Sequence, residues 1–275
     1  MVWRGEKSVA IITHKLAWDK CLSHQIWPAI EKGWKDEGKD VHFFWGLAGN
    51  NIKEINDCEK NGEEWWFVDV GYFTEQITRY PEPSINNYDN TYFRIVKGGL
   101  HTTEFSEGNT VRINDLFNKG IDVEFKGWYT GDTKHILLAP SSQMVTHFIN
   151  GVSQEDWIKQ VTADIRVYTD RPIKVRNKPR PNNEFWNTDI KEDLKNCHCL
   201  VTNLSLSAID AILNKVPIIT HKKNVCSPLS TNIANIENIF RINAKTVTQW
   251  MRSVVDHQFT IKEMENGTAY KYLND

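Results

Sequence analysis

Two serines open a predicted helix directly after an apolar run in the second half of the chain. The run Cys199–Thr202 is followed by Ser205 and Ser207, after which apolar residues recur at helical spacing. A buried strand that leads into a helix directs free backbone N–H groups and the positive helix end towards the ligand crevice of a sheet, which suits a phosphate group. The alternative role of Ser205 is that of a helix N-cap, worth about 1 kcal/mol.

Basic residues form a second group of anion-binding candidates. Residues 166–180 contain a single acid, Asp170, and these basic residues: Arg166, Arg171, Lys174, Arg176, Lys178 and Arg180. A solvated basic face is the ordinary explanation of such a run. However, Arg176 and Lys178 fall at the carboxyl end of the predicted strand Ile173–Arg176, where open α/β sheets bind their ligands. Arg176 and Lys178 are therefore predicted to bind phosphate. Arg171, and Ser141 and Ser142 just after the predicted strand Ile136–Ala139, are further candidates for the same site.

Candidates for acid–base chemistry lie in the first half. Asp69 follows an apolar strand and precedes Gly71, and His101 follows the predicted turn Gly98-Gly99. A carboxylate within hydrogen-bond reach of a hydroxyl acts as a general base, and an imidazole near pH 7 suits proton transfer or a polar contact. The alternatives are a turn-capping aspartate and a surface histidine. His14 and Asp19 are reserve candidates.

Apolar runs alternate with amphipathic segments along the whole chain, which is typical of α/β layering with mainly parallel strands. The predicted strands are Ser8–Thr13, Val41–Trp45, Trp65–Val70, Tyr92–Val96, Val123–Phe125, Ile136–Ala139, Ile173–Arg176, Cys199–Thr202 and Val216–Thr220. The predicted helices are Cys21–Lys35, Ile52–Glu59, a helix N-capped by Ser153 that runs to Arg166, a short helix from Asn187 or Thr188 to Lys195, Ser205–Asn214, Thr246–Val255 and Ile261–Leu273. The segment Tyr80–Asn90 is predicted to be a loop.

The composition is that of an ordinary globular protein. The 275 residues are 40% hydrophobic and 25% charged, with a net charge of −2, so there is no global basic field for nucleic acid or anionic lipid. Residues 1–135 contain 16 basic and 21 acidic residues, and residues 136–275 contain 17 and 14, so the second half is the expected anion-binding half. Five scattered cysteines are typical of free thiols, and Cys197-His198-Cys199 lacks the spacing of a structural zinc site.

The second half resembles the donor domain of GT-B glycosyltransferases, in particular phage-type and capsule-type members. Ser205, Asp210-Ala211 and Val216-Pro217 match the order in that domain of a serine at a helix start, an acidic-Ala pair and a turn with proline before the next strand. Lys215 departs from the usual glycine, and the first βα turn at Thr13–Ala17 lacks glycines. The resemblance implies two Rossmann-like domains facing a cleft, residues 1–133 for the acceptor and 134–275 for the donor. The C-terminal helices would cross back to the first domain.

The resemblance also implies an enzyme that moves a hexosyl or pentosyl group from a nucleotide sugar, expected to be UDP-linked, to a hydroxyl, with Asp69 and His101 as catalytic candidates. No Asp-x-Asp pair occurs in the sequence, so metal-independent transfer is expected, with no other cofactor. The favoured acceptor is a hydroxymethylated pyrimidine in phage DNA, which must be extruded from the duplex. Aromatic side chains at Trp65, Trp66, Tyr72 and Phe73, with the Tyr80–Asn90 loop, would stack or wedge there.

Three alternatives remain open: transfer to a cell-surface or capsule-type glycan, a sugar-nucleotide epimerase on the same architecture, and a binding module without turnover. The apolar run Val9–Ile12 is too short for a signal sequence or a membrane span, so a cytoplasmic protein without membrane insertion is expected.

Overall fold

The computed structural model describes residues 10–16, 22–35, 38–73, 91–181 and 183–275, which fold as mixed α/β structure with two sheets. The chain forms two compact units, Met1–Leu100 with His257–Asp275, and His101–Asp256. The predicted Tyr80–Asn90 loop and Asp19 lie outside the described residues. No helix among the described residues combines the length and apolarity that a membrane span requires.

The first unit contains a five-stranded sheet in the order β1-β2-β3-β4-β9. Its strands are β1 (Ile11–His14), β2 (Val41–Trp45), β3 (Glu64–Val70), β4 (Phe93–Lys97) and β9 (Gln258–Phe259). β1, β2 and β3 are parallel, whereas β4 runs antiparallel to β3 and β9 antiparallel to β4. The aromatic residues of β2 and β3 favour this arrangement, because bulky rings pack well on a pleated surface that is covered on both faces.

The helices of the first unit are α1 (Ser23–Gly33), α2 (Asn51–Asn61), α9 (Ile261–Glu265) and α10 (Thr268–Asn274). α1 packs against α9, and one core cluster joins these helices to buried rings such as Trp27, Trp66 and Phe259. The C-terminal segment therefore belongs to the first unit. The predicted single helix Ile261–Leu273 is wrong, because Gly267 with φ of 80° breaks it into two helices.

The second unit contains a four-stranded, wholly parallel sheet in the order β6-β5-β7-β8. Its strands are β5 (His135–Leu138), β6 (Ile173–Val175), β7 (Cys197–Thr202) and β8 (Ile218–Thr220). Its helices are α3 (Thr110–Asn118), α4 (Gln143–Asn150), α5 (Gln154–Arg166), α6 (Ile190–Leu194), α7 (Ser207–Leu213) and α8 (Ala244–Asp256), with two 3₁₀ turns at Ser227–Leu229 and Ile233–Asn235. The predicted N-cap is confirmed, since the Ser153 hydroxyl accepts a hydrogen bond from the Asp156 amide.

Residues 101–133 belong to the second unit. The compact units therefore divide the chain after Leu100 and after Asp256, whereas the predicted boundary lies after residue 133. α3 packs against α8, and the Asp256 carboxylate accepts hydrogen bonds from the Ser106 hydroxyl and the Asn109 amide. The predicted strand Val123–Phe125 is wrong. Val123 and Phe125 are buried and Glu124 between them is exposed, but none of the three is paired with a strand. The Phe125 amide donates to the Thr248 hydroxyl instead.

Candidate functional site

The order of the second sheet defines a switch point between β5 and β7. The chain leaves β5 towards β6 on one side, and then returns to place β7 and β8 on the other side. Ligands of open α/β sheets bind outside the carboxyl ends of the strands at such a point, because the two loops diverge there and leave a crevice. The loops after β5 and β7 contain the predicted donor-binding serines Ser141, Ser142 and Ser205, and Ser207 is the first residue of α7.

One buried asparagine joins these two loops. Asn203, the first residue after β7, is 2% exposed, and its Oδ1 accepts a hydrogen bond from the Ser141 amide at 2.9 Å. Its Nδ2 donates to the Thr146 hydroxyl at 3.2 Å and to Oδ1 of Asn150 at 3.1 Å, both on α4. In return, the Ser141 hydroxyl accepts from the Leu204 amide at 3.0 Å. The loops are therefore fixed relative to each other by polar groups whose bonds are satisfied inside the protein.

The loop after β8 is tied to the same place. Asn224 is fully buried, and its Nδ2 donates to the backbone oxygen of Asn203 at 3.0 Å and to that of Ser205 at 3.4 Å. The next residue, Val225, donates its amide to Nδ1 of His101 at 3.2 Å. We call His101, Ser141, Asn203, Ser205 and Asn224 the switch-point cluster. The structure thus brings three of the predicted site residues together through two asparagines that the sequence analysis missed.

The hydroxyls at the start of α7 bind each other. Oγ of Ser205 accepts from the Ser207 amide at 3.2 Å and from the Ser207 hydroxyl at 2.9 Å. α7 then ends in a Schellman motif, because the Lys215 amide donates to the Ile212 oxygen and the Val216 amide to the Ala211 oxygen. Lys215 has φ of 63°, the left-handed conformation that favours glycine. Glycine adopts this conformation without steric strain, which explains why a glycine was expected at the position of Lys215.

The tautomer of His101 follows from its partner. Because a backbone N–H donates to its Nδ1, the neutral ring carries its proton on Nε2. With its proton on Nε2, the neutral ring cannot abstract a proton at that atom.

Burial perturbs Asp210, the acidic residue of the acidic-Ala pair on α7. Burial, followed by the negative charge of Asp189, raises the pKa of its carboxyl to about 6, and Lys191 and Arg176 offset this only in part. The carboxyl of Asp210 therefore changes its charge near pH 6.

The structure does not bring the predicted arginines to the switch-point cluster. Arg171 precedes β6, so it lies at the amino end of the sheet, where its Nε donates to the Glu237 carboxylate at 2.9 Å and its Nη1 to the Thr133 oxygen at 2.8 Å. Arg176 follows β6 but is 5% exposed, and its guanidinium is bound by the Asp193 carboxylate and stacked on the Phe185 ring. Lys178 is exposed in the loop after β6.

Two other cations lie at the carboxyl edge, and the sequence analysis missed them. Lys222 and Lys223 are exposed directly after β8, and the intervening His221 donates its amide to the Asn203 oxygen at 3.3 Å. Burial and the charges of Lys223 and Lys222 hold the pKa of His221 below its ordinary value. The run Thr220-His221-Lys222-Lys223 at a strand end was the available signal, because basic residues there face the crevice of an α/β sheet.

In the first unit, Asp69 is paired within the sheet rather than placed beyond its end. It lies opposite Arg94 on β4, and the Arg94 guanidinium is 3.1 Å from its carboxylate. Arg94 also donates to the Leu100 oxygen and lies over the Phe67 and Tyr72 rings. His14 hydrogen-bonds His42 through its Nε2 at 3.0 Å.

The aromatic residues predicted to open a DNA duplex are buried. Trp65, Trp66, Tyr72 and Phe73 are between 1% and 6% exposed, packed within the first unit. They are therefore not available to stack on an extruded base, and that prediction is wrong. The predicted burial of Cys197 and Cys199 on β7 is confirmed, and both are free thiols.

No protein family and no curated protein matches this chain. Among solved structures, the chain is similar to KpsC, beta Kdo 2,4 transferase, of Thermosulfurimonas dismutans, with 10% identity and a TM-score of 0.44 over 79% of this chain and 80% of that chain. It is also similar to KpsC, beta Kdo 2,7 transferase, of the same organism, with 11% identity and a TM-score of 0.44 over 86% of each chain.

Proposed function

We propose that the chain is a glycosyltransferase whose donor, a nucleotide-activated sugar, binds at the carboxyl edge of the second sheet. The observation that carries this proposal is the switch-point cluster, in which Asn203 and Asn224 hold the loops after β5, β7 and β8 in one polar arrangement. Because this arrangement fixes the loops, the cations and hydroxyls that they carry would stabilise developing charge without reorganisation during the reaction. The match of Ser205, Asp210-Ala211 and Val216-Pro217 to the donor domain of GT-B enzymes agrees with this placement.

The leaving group of the reaction is a nucleoside mono- or diphosphate, so the donor site must favour negative charge. We assign this role to Lys222 and Lys223 after β8 and to the hydroxyl of Ser142, which caps α4 without a side-chain hydrogen bond to the helix. Lys178 after β6 is a further candidate. Arg176 is assigned a positioning role, because Asp193 and Phe185 already hold its guanidinium.

Asp69 is proposed as the general base that receives the proton of the acceptor hydroxyl, and His101 as a hydrogen-bond donor to a substrate oxygen. An Asp69→Asn variant keeps a hydrogen-bond acceptor for Arg94 but removes the basic carboxylate. Loss of a general base lowers kcat by about 10²- to 10⁴-fold. The donor Kd should stay unchanged, because donor binding is assigned to other residues.

The acceptor is proposed to be a hydroxyl of a cell-surface or capsule-type glycan. The alternative acceptor is a hydroxymethylated base in DNA. The aromatic residues that would stack on such a base are buried in the core of the first unit, and Arg171 and Arg176, which would contact DNA phosphates, are held in ion pairs. An epimerase would interconvert the sugar of its nucleotide without any acceptor.

A mass-spectrometric screen tests the proposal. The full chain is incubated with UDP-, GDP-, dTDP- and CMP-linked sugars, each alone, with oligosaccharide acceptors, or with DNA containing 5-hydroxymethylcytosine or 5-hydroxymethyluracil. A mass gain on an oligosaccharide, without added Mg²⁺ or Mn²⁺, is expected. A mass gain on DNA would overturn the glycan acceptor, isomerisation without acceptor would establish an epimerase, and absence of both binding and turnover across the panel would refute the proposal.

Site variants connect that activity to the carboxyl edge. Each charge-assisted contact to a phosphate contributes about 1.5–3 kcal/mol, so Lys222→Ala with Lys223→Ala should raise the donor Kd at least tenfold. Lys159→Ala with Lys195→Ala is the matched control, because it removes the same two charges from exposed lysines that are each paired with a glutamate. An equal effect of both changes would attribute the loss to net charge alone.

A further inference from the structure

Three potential metal ligands from separate elements converge at the amino end of the first sheet. They are His42 on β2, Cys58 on α2 and Glu63 in the turn that leads to β3, and their ligand atoms all lie within 4.8 Å of one another. Nε2 of His42 is 3.6 Å from the Glu63 carboxylate. We propose that this cluster binds one divalent transition-metal ion, with Zn²⁺ as the favoured occupant.

The donor types suit zinc. Imidazole nitrogen, thiolate sulfur and carboxylate oxygen are its usual protein ligands, at about 2.0–2.3 Å from the ion. Two ligands at such distances and at a tetrahedral angle are roughly 3.5 Å apart, so the atoms need to approach by about 1 Å from their present separation. The side chain of Glu63 is 41% exposed, so it has the freedom to make this adjustment.

A neighbouring histidine orients the imidazole ligand. Nε2 of His14 and Nδ1 of His42 are hydrogen-bonded at 3.0 Å, and the His14 ring stacks on Phe44 with centroids 4.0 Å apart. A ligating histidine usually uses its second ring nitrogen in such a contact, which fixes the direction of the first. Here the contact to His14 directs Nε2 of His42 towards Glu63.

The local charge also favours a cation. The charges that act on the Cys58 sulfur are those of Glu63, Glu54 and Asp57, all of them negative. Cys58 itself is 2% exposed, on the side of α2 that faces the sheet. When the ion binds, the S–H bond of Cys58 breaks, a metal–sulfur bond forms and the proton passes to the solvent.

The position indicates a structural ion. His42 is the second residue of β2 and Glu63 immediately precedes β3, so the cluster lies at the amino end of the parallel strands, opposite to the edge where open α/β sheets bind substrates. An ion there would join β2, α2 and the turn before β3. Three protein ligands leave a fourth coordination position for water.

Cobalt substitution tests the site on the full chain. The protein is stripped with a chelator, dialysed and titrated with Co²⁺, whose bond to a thiolate gives a charge-transfer absorption in the near ultraviolet. We expect one ion per chain with this absorption, and displacement of the cobalt by Zn²⁺. Cys58→Ser should abolish the absorption, whereas Cys226→Ser, the matched change of a buried cysteine in the second unit, should retain it.

Two further variants separate binding from folding. Glu63→Gln changes a partly exposed turn residue and should weaken Co²⁺ binding at least tenfold. His14→Phe retains an aromatic ring for stacking on Phe44 but removes the contact to His42, and should weaken binding about 10- to 100-fold. Absence of the absorption in the wild-type chain, or its persistence in Cys58→Ser with unchanged stoichiometry, would overturn the proposal.

Discussion

Substitution of Asn203 disturbs the switch-point cluster most directly, because its side chain joins the loops after β5 and β7. In Asn203→Ala, the buried Ser141 amide loses its acceptor, and the Thr146 hydroxyl and the Asn150 side chain each lose one bond. An unsatisfied buried N–H costs about 1–3 kcal/mol and an ordinary hydrogen bond contributes about 1 kcal/mol, so the free energy of unfolding should fall by roughly 3 kcal/mol. Urea denaturation measures this loss as a lower midpoint at unchanged slope.

Asn203→Asp separates the structural role of this residue from its electrostatic one. The aspartate keeps an oxygen for the Ser141 amide, but it buries a carboxylate and cannot donate to Thr146 and Asn150. Its loss of stability near neutral pH should therefore be at least as large as that of Asn203→Ala. The aspartate also adds a negative charge beside the proposed diphosphate site. At a separation of about 6 Å and an effective dielectric constant of about 20, the repulsion is roughly 3 kcal/mol, or about 100-fold in donor Kd.

Calorimetric titration of a nucleotide sugar into both variants provides the assay. We expect both variants to be less stable than the wild type, and the aspartate variant to bind the donor more weakly than the alanine variant. An aspartate variant that binds the donor with wild-type affinity would refute the placement of the phosphate groups next to Asn203.

Three further predictions concern stability. Lys215→Gly should raise the free energy of unfolding by about 1 kcal/mol, because lysine pays a steric cost at φ of 63° that glycine does not; an unchanged urea midpoint would contradict this. The pKa of Asp210 is raised to about 6 in the folded chain from 3.8, so its ionisation should cost roughly 3 kcal/mol of stability as the pH rises between these values, and Asp210→Asn should lack that decline in pH-dependent denaturation. Burial alone would raise the pKa of Glu64, but hydrogen bonds from Lys39, Lys97 and Trp66 lower it from 4.5 to about 2. Glu64→Gln should therefore be about 3 kcal/mol less stable near neutral pH, with the difference from wild type vanishing as the pH falls from about 4.5 to 2.

Strongly patterned elements could be predicted from the sequence. The strand Val41–Trp45 has the predicted bounds, and β3 begins one residue before the predicted Trp65. Both segments are rich in large apolar residues, as is usual in strands that are buried on both faces of a sheet. The two-residue strand β9 could not be predicted, since it depends on pairing with β4 far away in the chain. The helix α3 carries exposed Val111 and Phe117, so its apolar residues do not mark a single buried face.

The location of the candidate site could be predicted from the sequence, because it depends on which residues follow the predicted strands. Ser141 and Ser205 follow neighbouring parallel strands, so their loops meet at one edge whatever their detailed geometry. The partners of the arginines were not predictable: Arg176 is held by Asp193 on α6, and Arg171 by Glu237, which is distant in sequence. The His42, Cys58 and Glu63 cluster has no sequence spacing that marks it, because its ligands come from three elements.

A nucleotide sugar that binds where the loops after β5, β7 and β8 meet should protect the backbone amides of those loops. Amide hydrogen exchange of the full chain, with and without a saturating nucleotide sugar, measures this protection. We expect slower exchange in residues 139–145, 203–207 and 221–225 when the donor is bound. Protection confined to other segments, with these three unchanged at saturation, would contradict this placement of the donor.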